Sequence, residues 1–157
     1  MYEIIPIIEL PCNITGVMKN NIRFLLIDDD ADDRKLFIEA VKEIDETIEC
    51  KTAKNGELAL ELLRDTGHPL PDFIFLDIRM PRIDGKKCLF EIKKDERLKH
   101  IPVIIYTTSK AVEESIELRN MGAFHFISKP NNADEIFYLI CFVLEEQTKA
   151  SRRDNLS

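Results

Sequence analysis

Two rhythms of apolar and polar residues alternate along the chain from Ile22 onward. Near-continuous apolar runs at Ile22–Ile27, Phe73–Leu76, Val103–Tyr106 and Phe124–Ile127 predict strands buried on both faces, as in a parallel sheet. Ile48 and Cys50 mark a further short strand between the first two of these runs. Between the runs, apolar residues recur at helical spacing: Leu36, Phe37, Ala40, Val41 and Ile44, then Leu58, Ala59, Leu62 and Leu63, then Cys88, Leu89 and Ile92. A fourth helix is expected from about Ala111 to Met121, and a fifth carries Ile136, Phe137, Leu139, Ile140, Val143 and Leu144. The punctuation agrees with this reading. Asp30 is placed to cap the first helix, which Ala31 opens, Gly56 precedes the second helix, and Gly67-His68-Pro69 ends it. A turn spans Met80 to Gly85, and Pro102 introduces the fourth strand. Right-handed crossovers place helices on both faces of such a sheet. The predicted fold is therefore α/β: a doubly wound, flavodoxin-like (βα)5 three-layer sandwich with a parallel sheet of order 2-1-3-4-5.

That strand order carries a chemical consequence. Asp28 and Asp29 close the first apolar run and Asp77 closes the third, so the order sets them face to face across the crevice at the carboxyl ends of the strands. Several carboxylates held that close disfavour one another's ionisation and call for a cation. An all-oxygen site with few protein ligands suits Mg²⁺, with Mn²⁺ as the alternative ion. Thr107 and Lys129 end the fourth and fifth strands at the same rim. A hydroxyl, an ammonium and a metal around one carboxylate are what a phosphoryl group under transfer requires, and Asp77 is the natural nucleophile.

Composition narrows the function class. The chain has 157 residues, 45% hydrophobic and 32% charged, which suits one domain with an ordinary core. A formal charge of -7 argues against non-specific contact with nucleic acid or anionic membrane. The cysteines at 12, 50, 88 and 141 form no Cys-x-x-Cys pair; Cys50, Cys88 and Cys141 lie in apolar patterns as small core residues, in keeping with a reducing cytoplasmic setting. Residues 1–20 form an N-terminal extension with neither the basic flank of a signal peptide nor the length of a membrane span. It is expected to be poorly ordered, or alternatively to fold Ile4–Leu10 back as an edge strand or docking segment. The domain is expected over 21–146, followed by a polar C-terminal tail at 147–157.

The motifs Leu26-Ile-Asp28-Asp29-Asp30, Phe75-Leu-Asp77-Ile-Arg79-Met80-Pro81-Arg-Ile-Asp84-Gly85, Ile104-Ile-Tyr-Thr107-Thr108-Ser109 and Phe126-Ile-Ser-Lys129-Pro130 together resemble the receiver domains of two-component response regulators, the CheY-like superfamily, in their stand-alone form. The resemblance implies that Asp77 accepts a phosphoryl group from a sensor histidine kinase or a histidine phosphotransfer protein. It implies Mg²⁺ held by Asp29, Asp77 and the backbone carbonyl of Arg79, with Asp28 helping through bound water. Lys129 would pair with the acyl phosphate, Thr107 and Phe126 would form the switch, and Arg79 and Ser109 would set the lifetime of the phosphorylated state. A cis bond at Lys129-Pro130 is also implied. Phe126 has a competing reading as a permanently buried core aromatic, and Thr108 departs from the very small residue usual after the switch hydroxyl.

Such a domain is not an enzyme in the usual sense; it assists its own phosphorylation and dephosphorylation. With no effector following the fifth helix, it would act by protein contacts through helix four, strand five and helix five, with a homodimer left open. Two other readings compete. A phosphatase of the haloacid dehalogenase type also places Asp-x-Asp after its first strand, as Asp28-Asp29-Asp30 does, but would need its nucleophile there and a substrate cap. A phosphorylation-independent pseudo-receiver would lack an acceptor, a metal carboxylate or the lysine, and none is missing.

Overall fold

Alternation of side chains along each strand divides the core in two. The computed structural model describes residues 21–80, 84–108 and 111–154. In chain order these form β1 (Arg23–Ile27), α1 (Ala31–Ile44), β2 (Glu49–Ala53), α2 (Gly56–Arg64), β3 (Phe73–Leu76), α3 (Gly85–Lys94), β4 (Val103–Thr107), α4 (Val112–Asn120), β5 (His125–Ser128) and α5 (Ala133–Asp154). The strands pair in parallel in the order β2-β1-β3-β4-β5, as the sequence pattern predicts.

Leu25 and Ile27 of β1, Ile74 and Leu76 of β3, and Val103 and Ile105 of β4 point to one face, where Leu60 and Leu63 of α2, Leu89 and Ile92 of α3, and Leu118 of α4 cover them. Phe24 and Leu26, Phe73 and Phe75, and Ile104 and Tyr106 point to the other face, against Phe37 and Val41 of α1 and Ile136 and Ile140 of α5. An aromatic chain runs through the second half: Phe37 stacks edge-on against Phe75 at 4.8 Å and against Tyr106 at 5.6 Å between ring centres. Period-two apolar strands buried on both faces leave the strand ends as the place where polar side chains gather.

The helix starts follow from side-chain caps. Asp30 accepts hydrogen bonds from the Asp32 and Asp33 amides, Asn55 from that of Leu58, and Asp84 from that of Lys87. Helix α4 lacks such a cap and buries only Leu118, so its attachment to the domain is the weakest of the four shorter helices. Gly85 opens α3 at a point where no other residue fits: an added Cβ would stand 2.4 Å from the Asp77 carbonyl oxygen and 2.5 Å from Ile78 Cα.

Five sequence-based expectations need correction or a limit. Helix α2 ends at Arg64, capped by Asp65, before Gly67-His68-Pro69 is reached. Helix α5 runs through Asp154 instead of ending near 146, because Glu145, Glu146, Gln147, Lys149 and Ala150 are polar or small yet good helix formers, with no Gly or Pro to stop them. Cys141 is buried as expected but disulfide-bonded, whereas Cys50 and Cys88 are free thiols whose burial pushes them up to about 12. No described peptide bond is cis, so Lys129-Pro130 is trans, the form that X-Pro bonds favour by about 0.5–1 kcal/mol. The extension at 1–20 lies outside the described residues. No helix among the described residues is long and apolar enough to cross a membrane.

Candidate functional site

Hydrogen bonds of the sheet run one residue past the strands and fix the backbone of the acidic residues. The Asp28 amide donates to the Ala53 carbonyl at 3.0 Å, and the Asp77 amide to the Ile27 carbonyl at 2.9 Å. The strand ends therefore hold Asp28 and Asp77 side by side without help from flexible loops. Asp28 is fully buried, Asp77 nearly so, and Asp29 exposed. One carboxylate oxygen from each of Asp28, Asp29 and Asp77 falls within 4.8 Å of the others.

Lys129 closes the group from β5. Its amide donates to the Thr107 carbonyl at 2.7 Å, which extends the β4–β5 pairing beyond Ser128 and directs the side chain over the strand ends. Its Nζ lies 2.7 Å from Asp28 Oδ2, 2.9 Å from Asp33 Oδ2 and 3.1 Å from Asp77 Oδ2, with the Tyr106 ring centre 5.7 Å away. The opposite oxygens are held by the backbone: Asp28 Oδ1 accepts the Asp30 amide at 3.0 Å and Asp77 Oδ1 the Arg79 amide at 3.2 Å. Each buried aspartate thus has one oxygen fixed by main chain and one facing the ammonium.

Burial pushes the Asp28 carboxyl up to about 6, even though Lys129 beside it pulls the other way. Burial would also lower Lys129, but the bonds to Asp28 and Asp33 and the charges of Asp28 and Asp77 outweigh it and raise its pKa. The ammonium is therefore locked on. Asp28 Oδ2 is engaged by the Lys129 ammonium at 2.7 Å, and a carboxylate oxygen so paired still has a lone pair for a second partner. Three carboxylates that each bring an oxygen to one point form an all-oxygen donor set, and that fits a hard divalent cation.

Thr107 is fully buried at the end of β4, between the strand ends that carry Asp77 and Lys129. The structure thus brings Asp28, Asp29, Asp77 and Lys129 into one cluster, with Thr107 on the strand between. Phe126 sits deeper in β5, opposite Ile105, half-buried against the core beneath α2, α3 and α4. The Arg79 guanidinium brings its Nη2 to 3.8 Å from Glu114 Oε2 on α4. Ser109 lies outside the described residues.

Asp33 is the partner of Lys129 that sequence reasoning missed. Its position in the first turn of α1 reads as ordinary helix-start acidity, and its partner Lys129 is 96 residues distant. The available signal was the run Asp28-Asp29-Asp30-Ala31-Asp32-Asp33, in which the residue three past the cap returns toward the strand ends.

Comparison with known proteins accords with this geometry. The family model for the response regulator receiver domain matches residues 24–140. Response regulator Rcp1 of Synechocystis sp. (strain ATCC 27184 / PCC 6803 / Kazusa) is 30% identical over 120 residues, spanning 74% of this chain and 82% of Rcp1. Regulatory protein AtoC of Escherichia coli (strain K12) is 34% identical over 126 residues, which cover 80% of this chain but 26% of AtoC. Among solved structures, the phosphorylated cyanobacterial phytochrome response regulator RcpA superposes with a TM-score of 0.73 at 29% identity, covering 80% of this chain and 92% of RcpA. The Mn²⁺-bound form of Rcp1 does so with a TM-score of 0.66 at 28% identity, covering 78% and 91%.

Proposed function

Because this chain belongs to the response regulator receiver domain family, a part of two-component signalling, we propose that Asp77 is its phosphoacceptor. The observation that carries this is the contact of 3.1 Å between Lys129 Nζ and Asp77 Oδ2, in a cluster that also holds Asp28 and Asp29. The donor is a phosphohistidine on a sensor histidine kinase or a histidine phosphotransfer protein. A carboxylate oxygen of Asp77 attacks phosphorus, the nitrogen–phosphorus bond breaks, and the imidazole leaves with a proton taken from solvent.

Each residue has a distinct task. Lys129 already stands beside the acceptor, so its ammonium is within reach of a phosphoryl oxygen formed there. Asp29, Asp77 and the Arg79 carbonyl would hold Mg²⁺ directly and Asp28 through water; Mn²⁺ is the alternative ion. Bound there, the metal offsets the negative charge that gathers on the phosphoryl oxygens. Thr107 donates its hydroxyl to a phosphoryl oxygen, and Phe126 moves inward as Thr107 shifts, which biases the surface of α4, β5 and α5 toward a protein target. Arg79 and Ser109 flank the phosphorus and set how long it stays.

Incubation of the chain with acetyl phosphate and Mg²⁺, followed by intact-mass measurement, tests the reading. One phosphoryl group should be gained by the wild type and lost in Asp77→Asn. No gain would point to a phosphorylation-independent binding module. Turnover of small phosphoesters that depends on Asp28 would point to a phosphatase.

A further inference from the structure

We propose that Asp33 competes with the phosphoryl group on Asp77 for the ammonium of Lys129, and thereby limits how strongly the phosphorylated form is favoured. The inference rests on Asp77 being the acceptor.

Lys129 has three donor protons, and three carboxylates surround them: Asp28 at 2.7 Å, Asp33 at 2.9 Å and Asp77 at 3.1 Å. These partners are not equivalent. Asp28 and Asp77 belong to the oxygen cluster that fits a cation, whereas Asp33 stands outside it. A divalent ion on that cluster draws on the charge of Asp28 and Asp77, which leaves Asp33 as the partner whose full charge still acts on Lys129. Its position is well kept. Its amide donates to Asp30 Oδ1 at 3.1 Å in the first turn of α1, where the positive end of the helix favours a carboxylate.

A phosphoryl group arriving on Asp77 adds up to about two negative charges and needs the same ammonium. Lys129 must then turn from Asp33 toward the new oxygens, while the Asp33 carboxylate repels them. Asp33 touches neither metal nor phosphorus in this scheme; it is a positioning residue that acts through Lys129. Its side chain is 33% exposed, so the pair is screened and its influence graded.

The test uses the full chain with Mg²⁺ and a titration of acetyl phosphate, read by intact mass. Asp33→Asn, which keeps the shape and removes the charge, should lower the donor concentration for half phosphorylation by about two- to fivefold, the range of a partly exposed ion pair. Asp33→Ser should shift it in the same direction, and Asp33→Glu should restore the wild-type value. Affinity for Mg²⁺ alone, measured by calorimetry, should change less than twofold in Asp33→Asn. Half phosphorylation unchanged or needing more donor in both neutral variants would overturn the proposal, as would a Mg²⁺ affinity lost tenfold, which would make Asp33 a metal ligand. A wild-type chain that gains no phosphoryl group would overturn the acceptor reading, and this inference with it.

Discussion

Lys129 Nζ lies 3.1 Å from Asp77 Oδ2 although β5 and β3 are not neighbours in the sheet; β4 runs between them. The lysine therefore reaches across the end of β4 to Asp77, its Nζ 5.7 Å from the Tyr106 ring centre. One side chain ties together the carboxyl ends of β1, β3 and β5.

Removing that tie should be costly before any chemistry is considered. Lys129→Met leaves Asp28 and Asp77 buried without their counter-charge, a loss of about 3 kcal/mol for a broken buried pair. Urea unfolding without divalent ions should show the loss, and saturating Mg²⁺ should restore part of it by giving the same oxygens a cation. Equal stability of variant and wild type in the metal-free state would mean that the ammonium is not what holds the carboxylates together.

Acidity should weaken the metal in a defined window. Burial, opposed by Lys129, pushes Asp28 up from 3.8 to about 6, so the folded chain retains a proton that the unfolded chain releases. The contribution of this group to stability is then greatest below the unfolded value, falls as pH rises toward about 6, and is level above. Below that point a cation must displace the proton, and Mg²⁺ affinity should drop by up to about tenfold per pH unit. Calorimetric titrations between pH 5 and pH 7.5, roughly the span of that proton's release, should show the drop in wild type and a flatter profile in Asp28→Asn.

Gly85 should tolerate no side chain. An added Cβ would meet the backbone of Asp77 and Ile78, not the end of a movable side chain. Gly85→Ala should cost about 2–4 kcal/mol in thermal or urea unfolding, and any folded fraction should be phosphorylated more slowly because the acceptor has shifted. A variant as stable as wild type would show that the start of α3 can retreat from β3.

Much of this was legible in the sequence. Near-continuous apolar runs ending in Asp28 and Asp77 forecast both the strands and the crevice, because a buried parallel strand has few polar positions other than its end. Asp30 announced its helix by local capping chemistry. Asp33 did not announce its role, since a helix-start carboxylate looks the same whether it faces solvent or a lysine from another strand. Helix α4 was legible as a segment but not by its packing, for Val112 and Ile116 are exposed and Leu118 alone is buried. The disulfide of Cys141 and the end of α5 were missed for different reasons: pairing of sulfurs is not a local property, and polar helix formers resemble a tail.

The aromatic half of the core gives a prediction independent of the site. Phe75 is 1% exposed and meets Phe24 at 5.2 Å and Phe37 at 4.8 Å between ring centres. Phe75→Ala should lose about 3–5 kcal/mol through the cavity it opens, whereas Phe75→Leu should lose considerably less. Chemical denaturation of both variants checks the order, and a similar loss in the two would indicate that ring geometry outweighs volume here.

Helix α4 is pinned to the domain by one leucine, with ion pairs from Glu114 to Arg79 and from Glu117 to Lys86 at its rim. Swinging it aside uncovers Leu118, about 2 kcal/mol of burial, along with the part of the core beneath it, a cost on the scale that one bound anion can redistribute between two arrangements. A hinge that light leaves α4 the cheapest of the four shorter helices to relocate, while the clamped strands beneath it stay still.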